Sequence, residues 1–237
     1  MNIKTAVITL GTALLLTSIS AQAEVSANIA ITTDYSFRGV SQNDEAMALQ
    51  GGFDYAHESG FYAGVWGSNV DDSFFAGSSL EMDTYLGWSG DAGPVSIDVG
   101  YLRYNYPDSD ANDPLIGYET DTDEFHIGIS KDFGAVSAGF TYNYSPDFFD
   151  LGDGSYYDLG VDIPVGEFSI ALHYGATKID EKGGGADLDY SDYGIGISTE
   201  IEGFGFDLSY SDTDDDGLCN GSNLCDGRVY LTVSKSM

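Results

Sequence analysis

The sequence predicts an all-β fold: an antiparallel up-and-down transmembrane β-barrel of about 12 strands, with short periplasmic turns and long extracellular loops. Bulky apolar residues alternate with small or polar ones along nearly the whole chain. The connections between alternating segments are short and long in strict turn. Charged side chains keep to one of the two alternating rows.

Residues 1–23 stand apart from this pattern. Lys4, an apolar run from Val7 to Ile19, and the small residues Ala21 and Ala23 ahead of Glu24 form a secretory signal peptide with an A-x-A cleavage site. The run is shorter than the roughly 20 residues a membrane helix needs. Export is therefore expected, with residues 24–237 forming one barrel domain.

The chain carries 8 Lys and Arg against 39 Asp and Glu, a formal charge of −31, which becomes −32 once Lys4 leaves with the signal. So acidic a surface excludes nucleic acid as a partner and favours cations. The 17 Tyr and 13 Phe argue against disorder, which is poor in aromatic residues. The 31 Gly fit many turns or close backbone approaches and oppose long helices.

The strands follow from the alternation. In "FGFDLSYSD", residues 204–212, Phe204, Phe206, Leu208 and Tyr210 fall on one side and Gly205, Asp207, Ser209 and Ser211 on the other. The same pattern recurs in Val95, Ile97, Val99, Tyr101; in Val136, Ala138, Phe140, Tyr142; and in Tyr157, Leu159, Val161, Ile163. It continues through Phe168, Ile170, Leu172, Tyr174, then Tyr193, Ile195, Ile197, and finally Val229, Leu231, Val233. A weak repeat aligns four hairpins. Each has a Gly (Gly87, Gly128, Gly160, Gly196), a Tyr fourteen residues later (Tyr101, Tyr142, Tyr174, Tyr210), and a turn Gly between (Gly93, Gly134, Gly166, Gly203). Five short connections, such as "KDFG" and "EIEG", alternate with six long ones, such as "VDDSFFAGSS" and "DTDDDGLCNGSNLCDG". That order puts both chain ends on the short-turn side.

Alternation alone also fits a soluble sandwich, which would bury its bulky rows between two sheets. Loop asymmetry speaks for the barrel. So does the height of the repeat Tyr, about 20 Å above the turns, where the upper edge of an apolar band roughly 25 Å tall needs an aromatic girdle. The bulky rows are nearly free of charge, Lys131 and Lys235 appearing only at strand ends, and a one-residue slip would push the acidic row into hydrocarbon.

The inward row supplies the candidate site. Pore-lining residues are expected at Asp34, Arg38, Asp54, Asp83, Asp98, Glu124, His126, Asp158, Asp192 and Asp207. With inward glycines at Gly87, Gly128, Gly160, Gly175 and Gly196, they predict a narrow, acidic aqueous pore favouring cations or zwitterions. The alternative is a solvated acidic face beneath a plugged lumen. Arg38, in "DYSFRGVSQND", falls by parity inside and near the outer mouth, either as a constriction charge or as the ion-pair partner of a neighbouring carboxylate.

Cys219 and Cys225, in "CNGSNLC", read as a disulfide stapling a loop of an exported protein. Asp212, Asp214 and Asp216 begin like a calcium loop, but position twelve is Asn223 where a bidentate Glu belongs, so Ca²⁺ is at most a weak ligand and no other cofactor is expected. His126 and His173 lie on polar parity without a catalytic motif around them, and the chain does not read as an enzyme.

At "DYSFRGVSQND", followed by "LQGGFDYAHESGFYAGVWGSNV" and closing with "CDGRVYLTVSKSM", the chain resembles the TorF porin family over residues 24–237. The resemblance implies an outer-membrane protein of Gram-negative bacteria. It brings no catalytic or binding residue with it. The terminal Met237 departs from the aromatic residue usual at the end of such barrels. The expected function is a porin-like channel for passive diffusion of small hydrophilic solutes. The alternative is a non-conducting structural or adhesive barrel whose acidic loops bind Ca²⁺ or a partner. Expected partners are outer-membrane lipid, the solutes and the barrel-assembly machinery.

Overall fold

The computed structural model describes residues 24–110, 120–182, 188–214, 219 and 222–237. The signal peptide expected over residues 1–23 lies outside them. The wall begins with β1 (Glu24–Thr32), followed after a two-stranded ribbon, β2 (Ser36–Phe37) and β3 (Val40–Ser41), by β4 (Ala48–Ala56) and β5 (Phe61–Asn69). It continues as β6 (Leu80–Ala92), β7 (Val95–Asn105), β8 (Thr122–Asp132), β9 (Ser137–Ser145) and β10 (Gly152–Val165). The last four strands are β11 (Phe168–Glu181), β12 (Tyr190–Ile201), β13 (Phe204–Thr213) and β14 (Arg228–Ser236). All twelve wall strands pair antiparallel with their neighbours, and β1 closes the barrel between β14 and β4. The all-β, twelve-strand architecture is the one the alternation predicts.

Turn chemistry sets the asymmetry. Ile201 and Phe204 are paired across the two-residue turn Glu202–Gly203, whose φ values of +53° and +76° are those a tight hairpin turn requires. Gly203 takes that conformation without a Cβ penalty. Equally tight turns join β6 to β7 and β10 to β11. The opposite rim carries the long connections: residues 33–47, 70–79 and 146–151, and the described residues of those that follow β7, β11 and β13.

The bulky rows face outward. Leu172, Ile195, Ile197, Leu208 and Leu231 are each more than 40% exposed, alongside Phe53, Leu86, Ile127, Leu159 and Tyr174 around the same belt. An apolar ring of that extent is stable against hydrocarbon and not against water. The four repeat Tyr mark its outer edge. Their hydroxyls reach polar groups at the loop end of the neighbouring or own strand: Tyr101 to Asp123 (2.6 Å), Tyr142 to Ser155 (3.1 Å), Tyr174 to Ser191 (3.2 Å) and Tyr210 to Asp212 (2.7 Å). Each ring lies in the apolar belt with its hydroxyl at the wet boundary. At the other rim, Lys235 donates to the Gly203 carbonyl at 2.7 Å, which keeps its charge out of the belt.

The apolar core of the molecule is inside the outer half of the barrel. Tyr35, Phe37, Phe75, Leu102, Tyr104, Tyr106 and Phe148 form one buried cluster there. Phe75 stacks on Tyr106 with ring centroids 4.3 Å apart. Most of these rings arrive on loops, so the loops turn inward.

Candidate functional site in the barrel lumen

The first long connection turns inward and brings Tyr35 and Phe37 into the buried cluster. Alternation of Asp34, Ser36 and Arg38 with Tyr35 and Phe37 predicts that the first wall strand runs on through Arg38. The wall strand instead ends at Thr32, and the chain folds into the β2–β3 ribbon. Arg38 and Gly39 form its two-residue turn, with φ of +50° and +82° and Phe37 paired to Val40. This is the same turn chemistry as Glu202–Gly203, placed inside the lumen.

The ribbon tip delivers Arg38 to the far wall. Its guanidinium donates to Glu124 Oε2 on β8 at 2.6 Å, with both side chains less than a tenth exposed. The Tyr156 ring centroid lies 4.0 Å from Arg38 Cζ, Phe37 at 4.8 Å and Phe148 at 5.4 Å. Burial by itself would lower the Arg38 pKa, but the facing Glu124 carboxylate, helped by Tyr104 and Tyr156, holds it above the usual range. Arg38 is therefore an ion-pair partner in a closed outer lumen, the second of the two roles its position allows. Asp34 anchors the base of the same loop: its carboxylate accepts from Ser41 at 2.7 Å and from Arg228 at 3.1 Å.

Beside this latch, Glu81 accepts from Tyr35 (2.9 Å) and Tyr106 (3.0 Å). Asp83, on the same face of β6, is 2% exposed and its Oδ1 has no hydrogen-bond partner. One level further in stand two Tyr–His–Asp groups. His126 contacts Asp98, which also accepts from Tyr62 at 3.0 Å. His173 Nε2 lies 2.6 Å from Asp192 Oδ1, which accepts from Tyr156 at 3.2 Å, while Asp158 stands 3.6 Å from His173 Nδ1. Asp54, bonded to Tyr85 and Asn28, and Asp207, bonded to Ser209, belong to the inner half, where most lumen side chains are partly exposed and Asp162 and Ala171 are buried. All ten residues expected on the inward row or at its mouth thus sit inside the barrel, divided between a filled outer half and an accessible inner half.

The inward glycines correct one expectation. They do not simply widen a bore. A Cβ on Gly64 would collide with the Tyr85 ring, one on Gly87 with Tyr62, and one on Gly175 with Tyr156 and Asp192. These glycines seat tyrosine rings that lean across from neighbouring strands. Only at positions such as Gly160, where no atom approaches within 4 Å, does glycine face open space.

In the last loop Cys219 and Cys225 form the disulfide. Asp212 accepts the hydroxyls of Tyr193 and Tyr210, and Asp214 accepts the Ser191 N–H at 2.6 Å. Asp216, the third residue of the calcium-like run, lies outside the described residues.

Gly39→Val is expected to unseat the ribbon tip. A Cβ there would fall 2.6 Å from Thr213 Cγ2 and 2.9 Å from Asp192 Cβ, on a backbone already at φ +82°. Strain of about 1–3 kcal/mol should raise trypsin cleavage after Arg38 by about fivefold or more. Unchanged protection, read by mass spectrometry of the cut, would show that the tip has room.

The model of a family described as a bacterial protein of unknown function (Gcw_chp) matches residues 17–237. No curated protein matches the sequence. The NanC porin, solved in a rhombohedral crystal form, is similar in structure with a TM-score of 0.55 at 10% identity, over 89% of this chain and 98% of that one. A membrane protein solved in work on in-meso crystallization is similar with a TM-score of 0.53 at 6% identity, over 90% of this chain and 83% of that one. At these identities the likeness is one of fold.

Proposed function

We propose that this chain, which belongs to the Gcw_chp family of bacterial proteins, is an outer-membrane porin-like channel for passive diffusion of small hydrophilic solutes, above all cationic and zwitterionic ones. The carrying observation is the division of the wall: an uncharged apolar belt outside and, inside, carboxylates on β4, β6, β7, β8, β10, β12 and β13. Residues 33–47 act as its gate, since the outer lumen is filled while the ribbon is docked. The NanC-like fold and the resemblance to the TorF porin family support the reading. Export behind residues 1–23, insertion by the barrel-assembly machinery and contact with outer-membrane lipid belong to the same proposal.

The filled outer half favours a second reading, a closed structural or adhesive barrel whose acidic loops hold Ca²⁺ or a partner. Planar-bilayer recording of refolded protein separates the two. Native protein and Arg38→Ala are expected to conduct, the variant more strongly, with reversal potentials that favour cations. Asp158→Asn with Asp207→Asn should weaken that preference. Silence from both proteins in any salt would leave the closed barrel, and unchanged reversal potentials would remove the electrostatic part.

A further inference from the structure

The place where Arg38 sits has the composition of a ligand site. We infer that the cage around its guanidinium is a recognition site for guanidinium-bearing solutes, with Arg38 as its tethered occupant; this rests on the reading that the lumen admits solutes. Glu124 on β8, Tyr156 on β10 and Phe148 in the loop between β9 and β10 belong to the barrel wall and its rim, not to the ribbon. Only Phe37 arrives with Arg38. When the ribbon withdraws, a carboxylate and two aromatic faces remain, directed at the place the guanidinium held.

A second observation points the same way. The Tyr156 hydroxyl donates to Asp192 Oδ1, and Asp192 Oδ2 is buried with no hydrogen-bond partner in a residue 2% exposed. The wall beside the cage therefore carries acceptor capacity that the docked ribbon leaves unused. An unsatisfied buried carboxylate oxygen is destabilising unless a donor reaches it. A free solute, unlike Arg38, is not restrained by the Arg38–Gly39 turn and can shift towards that oxygen.

Chemistry selects the cation. A guanidinium is planar, permanently charged and weakly hydrated; it suits a carboxylate and the face of an aromatic ring, as the Arg38 Cζ over the Tyr156 ring at 4.0 Å illustrates. A primary ammonium is a strongly hydrated point charge and loses more on entering such a cage. The channel thus has an internal competitor: its own loop occupies the site that its solute must take, and solute binding favours the withdrawn loop.

Ethylguanidinium is the probe. Isothermal titration of refolded Arg38→Ala in detergent micelles should show binding at least about tenfold tighter than to native protein. Arg38→Ala with Glu124→Gln should lose that gain, and ethylammonium should bind at least about tenfold more weakly than ethylguanidinium. Should the alanine variant fail to refold, Arg38→Gln takes its place. Native protein offers an independent measure: ethylguanidinium should accelerate chymotrypsin cleavage after Phe37 saturably, and ethylammonium at equal ionic strength should not. Equal binding by native and Arg38 variants, or binding indifferent to Glu124, would overturn the proposal. Binding in micelles requires no ion flow, so a barrel that binds without conducting fails only the channel reading. One that conducts without binding fails only this one.

Discussion

Glu124→Leu should open residues 33–47 to protease, raising chymotrypsin cleavage after Phe37 on the order of 10²–10³-fold. The variant leaves the Arg38 guanidinium in a site less than a tenth exposed with no counter-charge, a change that removes about 3–5 kcal/mol from a buried pair. The loop can answer by withdrawing and returning Arg38 to water. The loss therefore appears as exposure of the ribbon, and the barrel wall stays folded. Adding Arg38→Met should restore most of the protection, because a well-packed apolar pair often replaces a buried ion pair without loss. Protection unchanged in the single variant would show that aromatic packing by Phe37 and Tyr35 holds the loop without the ion pair.

Ile197→Arg is expected to destabilise the wall by about 2–4 kcal/mol in lipid vesicles, the penalty for a cation on the lipid face near mid-depth. Ile197 is 43% exposed and pairs with Ile170 on β11 and Leu208 on β13, halfway between the girdle Tyr193 and the inner turn. The neighbouring Ser198→Arg should change stability by less than about 1 kcal/mol, since position 198 faces the lumen opposite Asp207, where a cation gains a partner in high-dielectric surroundings. Urea unfolding followed by the fluorescence of Trp66 and Trp88 measures both. Equal losses at 197 and 198 would mean that the two faces of β12 do not meet different media.

The wall was legible because hydrocarbon enforces a strict rule. Every outward residue from Phe204 to Tyr210 must be apolar, so the alternation survives with little noise. The girdle was legible for the same reason, since Tyr101, Tyr142, Tyr174 and Tyr210 sit at one fixed height above their turns. The gate was hidden because residues 34–38 alternate as a wall strand does, and alternation does not say whether a strand stays in the wall. Two signals were present in the sequence. Arg38–Gly39 is an X-Gly pair flanked by alternating residues, which suits a two-residue turn. The doublets Phe74–Phe75 and Phe148–Phe149 stand in otherwise polar loops, and such residues have only the lumen in which to bury their rings. The seating of Tyr85 over Gly64 and Tyr62 over Gly87 was likewise readable as cross-strand pairing once the register was known.

The seam of the barrel, finally, fixes the order in which this molecule can be assembled. β1 meets β14 over a register of Asn28 to Thr32, extended by backbone hydrogen bonds at Ala27 and Thr33, while its contact with β4 runs from Glu24 to Thr32. The shorter junction joins residues some two hundred positions apart, so it is closed last, after every hairpin has formed locally. Until then the growing sheet presents two open margins and a sticky outer surface to whatever surrounds it. On the proposed reading, lipid is what covers that outer surface once the seam has closed.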